Sequence, residues 1–413
     1  MKHSIAELNE QTSKCDCGNQ HYLINIDQIV LEQGAIHQVA GYLKDKQFHN
    51  VLLIADQHTY EAAGNMLETS LFAADIHCKV CLIEPDHNED VVADERSLVQ
   101  AMLAANPNTD AFIAVGSGTI QDITRFSSYK MSRPFISIPT AASVDGFTSM
   151  GAPLIIRGEK KTFQTQSPLA VFADLKILMK APAKMRAAGF GDMLAKHTSL
   201  ADWHFSSLIG GEPFCPLAAE MTRTALASCE SQIEQLASGE EEGIHILMAA
   251  LILSGLAMLI FGHSHPASGG EHHLSHYWEM VFLKEGRPQV LHGEKVAIAT
   301  AHLADIYKQE FSKVLDKTKL NNSEADFRDF EKIKSNNQQL EAIINDIPTT
   351  LELTQMIKKV GGTISPEGLG ISKELLDISF RKAHYLRDRY TILKFLNINK
   401  KADENVLTTK YLS

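Results

Sequence analysis

Five short apolar runs limit how this chain can fold. Residues 51–55 (Val-Leu-Leu-Ile-Ala) lead into Asp56, residues 79–83 follow, residues 110–115 end at Gly116, residues 135–138 end at Pro139, and residues 169–173 complete the set. Most carry apolar side chains at consecutive positions, so both faces of each strand must be covered. Helix-like stretches such as residues 89–105 lie between them, which makes the sheet parallel with helices on either side. Residues 152–165 read as a hairpin. From about Ala183 the strand pattern stops. Alanine, leucine, methionine and glutamate dominate, and helical periodicity runs to the end. The expected architecture is an α/β domain with a parallel sheet over residues 1–182, then an all-α domain over residues 183–413. Residues 317–339, charged and polar, read as an exposed helical excursion.

Composition excludes several classes. A net charge of −11 disfavours a nucleic-acid partner, which needs a concentrated basic face, although a small anionic substrate needs only a local positive site. Six cysteines in 413 residues make no disulfide framework. Cys15-Asp16-Cys17-Gly18 with His21 nearby can bind a metal, but no second cysteine pair follows at zinc-finger spacing. Cys78 and Cys81 lie an odd number of positions apart on a strand, so their thiols face opposite ways. The first seven residues lack the apolar core of a signal peptide. The one long apolar run, residues 246–262, is short for a membrane span and contains Ser254 and Gly255, so it reads as a buried helix without membrane insertion. A cytoplasmic protein is expected.

Two loops follow the strand ends. Val115-Gly116-Ser117-Gly118-Thr119-Ile120-Gln121-Asp122 takes a strand through glycines into a helix, where backbone N–H groups and the helix N-terminus favour a phosphate. Gln121 stands where the dinucleotide fingerprint G-x-G-x-x-G has its third glycine, so a plain strand-to-helix turn remains the other reading. The second loop, Pro139-Thr140-Ala141-Ala142-Ser143-Val144-Asp145-Gly146-Phe147-Thr148-Ser149, offers small and hydroxylated residues beyond the next strand. Asp56 ends the first strand. It either caps a helix or accepts hydrogen bonds from a nucleotide ribose, where it would repel a 2′-phosphate and favour NAD over NADP.

The helical part carries the histidines. Five lie between positions 263 and 276, and His292 follows. His272 and His276 share a helix face, whereas His273 points about 100° away from His272 and cannot join it on one ion. His263 and His265 precede Pro266, in a loop. Asp192, in Gly189-Phe190-Gly191-Asp192, either caps a helix or joins His272 and His292. One carboxylate and two imidazoles from three separate segments supply three metal ligands and leave a fourth position for substrate.

Together these motifs resemble the iron-alcohol-dehydrogenase-like superfamily, which includes glycerol dehydrogenase and dehydroquinate synthase. Within it they are most similar to the bacterial branch of the sn-glycerol-1-phosphate dehydrogenases. The resemblance spans Cys15-Asp16-Cys17-Gly18-Asn19, the turn from Gly116 to Asp122, the loop from Pro139 to Gly146, Gly189 to Asp192, Glu271 to His276, and His292-Gly293-Glu294. It implies a dehydroquinate-synthase-like fold with the active site in a cleft between an NAD(P)-binding domain and a helical domain. It implies NAD(P) on Asp56, Gly118, Thr119, Ile120, Gln121, Asp122, Thr140, Ala141, Ala142, Ser143 and Ser149. It implies one divalent ion, nickel or zinc, on Asp192, His272 and His292. Asp145, Asp192 and His276 then line the substrate site, and a homodimer is expected.

The implied reaction is metal-assisted, NAD(P)-dependent reduction of dihydroxyacetone phosphate to sn-glycerol 1-phosphate, with Asp192 and His276 as catalytic residues. His276 either relays a proton or holds substrate, or else packs behind the ligands. Arg157, Lys160 and Lys161 can reach the substrate phosphate, or else form a solvated hairpin face. The competing readings are a glycerol dehydrogenase acting on unphosphorylated polyol, a dehydroquinate-synthase-like lyase, and an inactive metal-binding protein.

Overall fold

The computed structural model describes residues 4–319 and 328–399. Eight strands occur among them: β1 (Gln28–Glu32), β2 (Asn50–Ala55), β3 (His77–Leu82), β4 (Ala111–Gly116), β5 (Phe135–Pro139), β6 (Gly151–Ile156), β7 (Glu159–Gln164) and β8 (Ala170–Asp174). Six form one parallel sheet in the order β1-β8-β5-β4-β2-β3, and β6 and β7 pair as an antiparallel hairpin. The expected strands and hairpin appear within a residue or two of their places. β1 was not anticipated. It is a short edge strand whose residues are only half-buried, and three apolar side chains leave little periodic signal.

The sheet's core is split by side-chain alternation. Val51, Leu53, Ile113, Val115 and Phe172 pack on one face, and Leu52, Ile54, Phe112, Ala114 and Phe135 on the other. Cys78 and Cys81 accordingly go to opposite faces. Each fully buried Leu, Ile or Phe contributes roughly 1.5–3 kcal/mol. At the other end of the second face, Val171 and Ala173 of β8 join the core of the helical part, which makes the sheet and helices continuous. The N-terminal helix Ile5–Ser13 also packs there through Leu8.

The chain leaves β2 for β3 on one side and returns to β4 on the other. The strand order therefore reverses between β2 and β4, whose residues Ile54 and Ala114 are in register. In parallel sheets ligands bind beyond the carboxyl ends at such a reversal. Asp56 and Ser117 stand there.

The remainder is helical. The helix Glu241–Phe261 is long and apolar enough to cross a membrane, and 83% of its most apolar window is buried inside the protein. Both tryptophans, Trp203 and Trp278, are fully buried around it. The charged stretch 317–339 is helical where described, but it is not wholly exposed: Ile333 is completely buried against the helical core, and residues 320–327 lie outside the described residues.

Candidate active site

A cleft of about 350 Å³ lies between the ends of β4 and β5 and the helical part. On the sheet side, Gly116 must lack a side chain, because a Cβ there would stand 2.6 Å from the Ile120 Cβ. The helix Gly118–Lys130 starts at Ser117, whose side chain makes no cap hydrogen bond, so the first N–H groups remain available to a ligand. Gln121 is buried where a third glycine was absent, and its Nε2 donates to the carbonyls of Ala114 (3.3 Å) and Gly116 (3.2 Å), tying the helix to the strand end. Ser117, Gly118, Thr119, Gln121, Asp122, Ser143, Asp145 and Ser149 all line the cleft.

Other expected cofactor residues sit elsewhere. Ile120 points into the sheet core, and Ala141 and Ala142 are buried behind the loop. Thr140 is held at the strand end by its N–H bond to the Gly116 carbonyl (3.3 Å). Asp56 does not line the cleft; its Oδ1 accepts the Thr59 N–H at 2.8 Å in a capping box. Arg125, missed in the sequence, organises the loop. It is fully buried, pairs with Asp122 at 2.8 Å, and donates to the carbonyls of Gly146 and Gly151. Burial pushes the Asp122 carboxyl up to about 7 against the pull of Arg125.

On the helical side, Asp192, His272 and His292 each turn one donor atom to a common point, with all three atoms within 4.8 Å of one another. They come from the helices Ala183–Leu194, Gly270–Lys284 and His292–Ile306. Glu271 is fully buried and its Oε1 lies 2.8 Å from His272 Nδ1, which leaves His272 Nε2 facing Asp192 Oδ1 at 3.8 Å. A carboxylate behind a histidine in this way sets the tautomer of a metal ligand. Burial holds His292 well below the ordinary histidine range, as neutral ligation requires. His292 Nδ1 is buried without a partner among the described residues. The donor set fits a divalent ion. Burial and the neighbouring Asp145 raise the Asp192 carboxyl, while Lys196 opposes them.

Lys196, one turn past Asp192, is fully buried and contacts Asp145 Oδ2 at 2.7 Å and Asp192 Oδ1 at 3.3 Å. Its spacing was the only clue to it. Asp145 also accepts from Ser254 (2.8 Å), and its N–H donates to Asp192 Oδ2 (3.0 Å), so the sheet-side loop is hydrogen-bonded to the ligand helix.

His272, His276 and Glu279 follow at helical spacing along the same cleft wall. Arg387 Nη2 stands 3.2 Å from His276 Nδ1. A guanidinium only donates, so Nδ1 accepts and Nε2 carries the proton. Burial keeps His276 well below its ordinary value, hence neutral. Lys160 lines the cleft and pairs with Glu279 at 2.8 Å; Lys295 joins at 3.2 Å. Burial lifts the Glu279 carboxyl, but the two ammoniums outweigh it and hold it at about 2. Arg157 and Lys161 are exposed on the hairpin, the latter paired with Glu159. His263 and His265 lie in the turn before Pro266, off the cleft, and His273 is buried with neither ring nitrogen partnered among the described residues. Arg387 had no local sequence signal.

The family described as iron-containing alcohol dehydrogenase matches residues 30–182. A glycerol-1-phosphate dehydrogenase (NAD(P)+) of Geobacillus stearothermophilus is 48% identical over 398 residues, covering 96% of this chain and 98% of the relative. The protein of that name from Geobacillus thermodenitrificans is 50% identical with the same coverage. Among solved structures, a glycerol dehydrogenase from Schizosaccharomyces pombe aligns with a TM-score of 0.66 at 19% identity, over 94% of this chain and 87% of its own, and shares the fold.

Proposed function

The chain belongs to the glycerol-1-phosphate dehydrogenase (NAD(P)+) family, and from that premise we propose a reversible reduction of dihydroxyacetone phosphate at C2 to sn-glycerol 1-phosphate. The observation that carries the reading is the meeting of two ligand sets in one cleft: the open helix start at Gly118 and the Asp192–His272–His292 donors. The glycerol dehydrogenase structure shares 19% identity and bears on fold alone, and nothing favours a lyase.

We assign the nucleotide to the helix start at Gly118, to Asp122, and to the loop from Thr140 to Ser149, with Asp56 at the ribose end favouring NAD. Asp192, His272 and His292 would hold a divalent ion, nickel or zinc, that would supply Lewis-acid polarisation of the substrate's C2 oxygen, and NAD(P)H would supply the hydride. The chain's own groups do the rest. Glu271 fixes the His272 tautomer. His276 presents its Nε2–H to a substrate oxygen as a hydrogen bond that holds the substrate and steadies the developing alkoxide, which takes its proton from solvent. Asp145 and Lys196 brace Asp192 from behind, which holds its carboxylate in one orientation. Arg387 and Lys160 receive the substrate phosphate, since a bidentate guanidinium beside an ammonium suits that dianion. Lys160 alone survives of the three cations weighed from the sequence. We place the nucleotide domain at residues 1–182 and the helical domain at residues 183–413, in a cytoplasmic homodimer without nucleic-acid partners.

The test is NADH oxidation with dihydroxyacetone phosphate on chelated enzyme, with nickel, zinc or iron restored separately, and chiral analysis of the product. A faster reaction with unphosphorylated dihydroxyacetone would overturn the assignment.

A further inference from the structure

A second set of soft ligands lies outside the cleft. Cys15 and Cys17 follow the N-terminal helix Ile5–Ser13, His21 comes four residues later, and Cys215 begins the helix Pro216–Ser231. One donor atom from each lies within 4.8 Å of all the others. The Sγ atoms of Cys15 and Cys215 are 3.8 Å apart, and His21 Nε2 is 3.8 Å from Cys215 Sγ and 3.1 Å from Cys17 Sγ. On a tetrahedral zinc with ordinary bond lengths, two sulfurs stand about 3.8 Å apart, and sulfur and nitrogen about 3.6 Å. None of the four residues lines the cleft.

We propose that Cys15, Cys17, His21 and Cys215 form a structural metal site that holds one zinc ion in closed Cys3His coordination. Four protein donors leave no open position, which separates it from the three-donor set in the cleft. The surroundings suit thiolates. Asn19 Nδ2 donates to Cys17 Sγ (3.2 Å) and is anchored on the Phe214 carbonyl (2.7 Å). The Ala218 N–H donates to Cys215 Sγ (3.4 Å) at the positive end of a 16-residue helix. Gly18, at φ 79°, turns the chain back so that His21 returns to the sulfurs. His21 Nδ1 is buried with no partner among the described residues, so the ring's polar contacts are to the cluster. Binding releases the three thiol protons to solvent and ties together segments 200 residues apart.

The experiment is titration of chelated, reduced protein with Co(II) alone, read by absorption. Thiolate-to-cobalt charge transfer identifies the cysteine site, because an aspartate–histidine–histidine site has no sulfur. In His272→Ala, which disables the cleft site, the band is expected to saturate at one Co(II) per chain and to bleach when zinc is added. Cys17→Ser is expected to lose the band, and chelation of the wild type to lower Tm. Absence of the band in both wild type and His272→Ala overturns the proposal, even if Cys17→Ser does not fold. So does loss of two titratable thiols on purification without reductant, which marks a disulfide. The dehydrogenase reading is independent of either result.

Discussion

Replacing Glu271 by glutamine tests the cleft's metal site without emptying it. Glu271 Oε1 accepts from His272 Nδ1 (2.8 Å) and from the Gly269 N–H (2.5 Å), while Oε2 accepts from Thr198 Oγ1 (2.7 Å). Glutamine has the same shape. Its oxygen keeps the first two bonds, and its amide donates to Thr198 Oγ1, whose proton turns to the Ala195 carbonyl at 3.2 Å. Geometry is preserved and one buried charge is removed. That charge makes His272 Nε2 a stronger metal donor, and loss of such a partner costs about 10–100-fold in metal affinity, or ~1.4–2.7 kcal/mol. A hydrogen bond to a charged group is worth ~1.5–3 kcal/mol, which agrees in scale. Folding responds differently. Burial, and next the Glu271 charge, push the Asp202 carboxyl up to about 7, so removing that charge relieves Asp202. Burial lifts the Glu271 carboxyl itself, but its partners outweigh that and hold it below the ordinary range, so the charge also contributes stability. With the relief of Asp202 offsetting that loss, the metal-free Tm is expected to fall only modestly while affinity falls. Calorimetric titration of chelated enzyme with nickel and with zinc, beside a metal-free melt, reads both. Unchanged affinity would refute the carboxylate–histidine argument, and a collapsed metal-free Tm would show that Glu271 acts through packing.

Arg387→Ala is expected to raise KM for dihydroxyacetone phosphate about 10–100-fold, the loss of a charge-assisted bond of ~1.5–3 kcal/mol. Turnover of unphosphorylated dihydroxyacetone should fall less, by what the loss of the His276 partner costs; an equal loss on both substrates would remove the phosphate role. Asp56→Asn keeps the helix cap and drops the charge, so the ratio of kcat/KM for NAD over NADP should fall with Tm unchanged, and a constant ratio would leave Asp56 a cap only. The Asp122 carboxyl is raised from its ordinary 3.8 to about 7. Its contribution to stability is complete below the unfolded value and lost as pH rises through the folded one. Asp122→Asn should therefore gain Tm relative to wild type as pH rises from about 4 to about 7, whereas a constant offset would contradict the burial argument.

The sheet was legible where both faces of a strand are buried. β2, β4, β5 and β8 are almost wholly interior, so their apolar runs have no other explanation. The edges are harder. β3 buries only Cys81, and β1 is half-buried along most of its length, so neither needs a strong pattern. Residues 317–339 misled for a related reason: two buried side chains among the described residues, Thr318 and Ile333, anchor a segment whose composition is otherwise that of a solvated helix.

The site was legible where its parts are local. His272 and His276 lie one turn apart, and the glycine turn adjoins its strand, so spacing alone proposes each. The rest depends on backbone proximity that spacing does not encode. A Cβ on Gly189 would collide with the Ala142 carbonyl, and one on Gly293 with the Ala188 carbonyl. At these two points the nucleotide loop, the Asp192 helix and the His292 helix touch main chain to main chain. No side chain intervenes to let them slide, so the loop and two of the three metal donors keep a fixed relation. The glycines beside Asp192 and His292 are thus part of the same arrangement as the ligands, which is why motifs so far apart in the chain can define one cleft. Arg387 reaches His276 across 111 positions, and Cys215 reaches Cys15 across 200. Each is an ordinary residue in its own neighbourhood, and only the fold gives it a role.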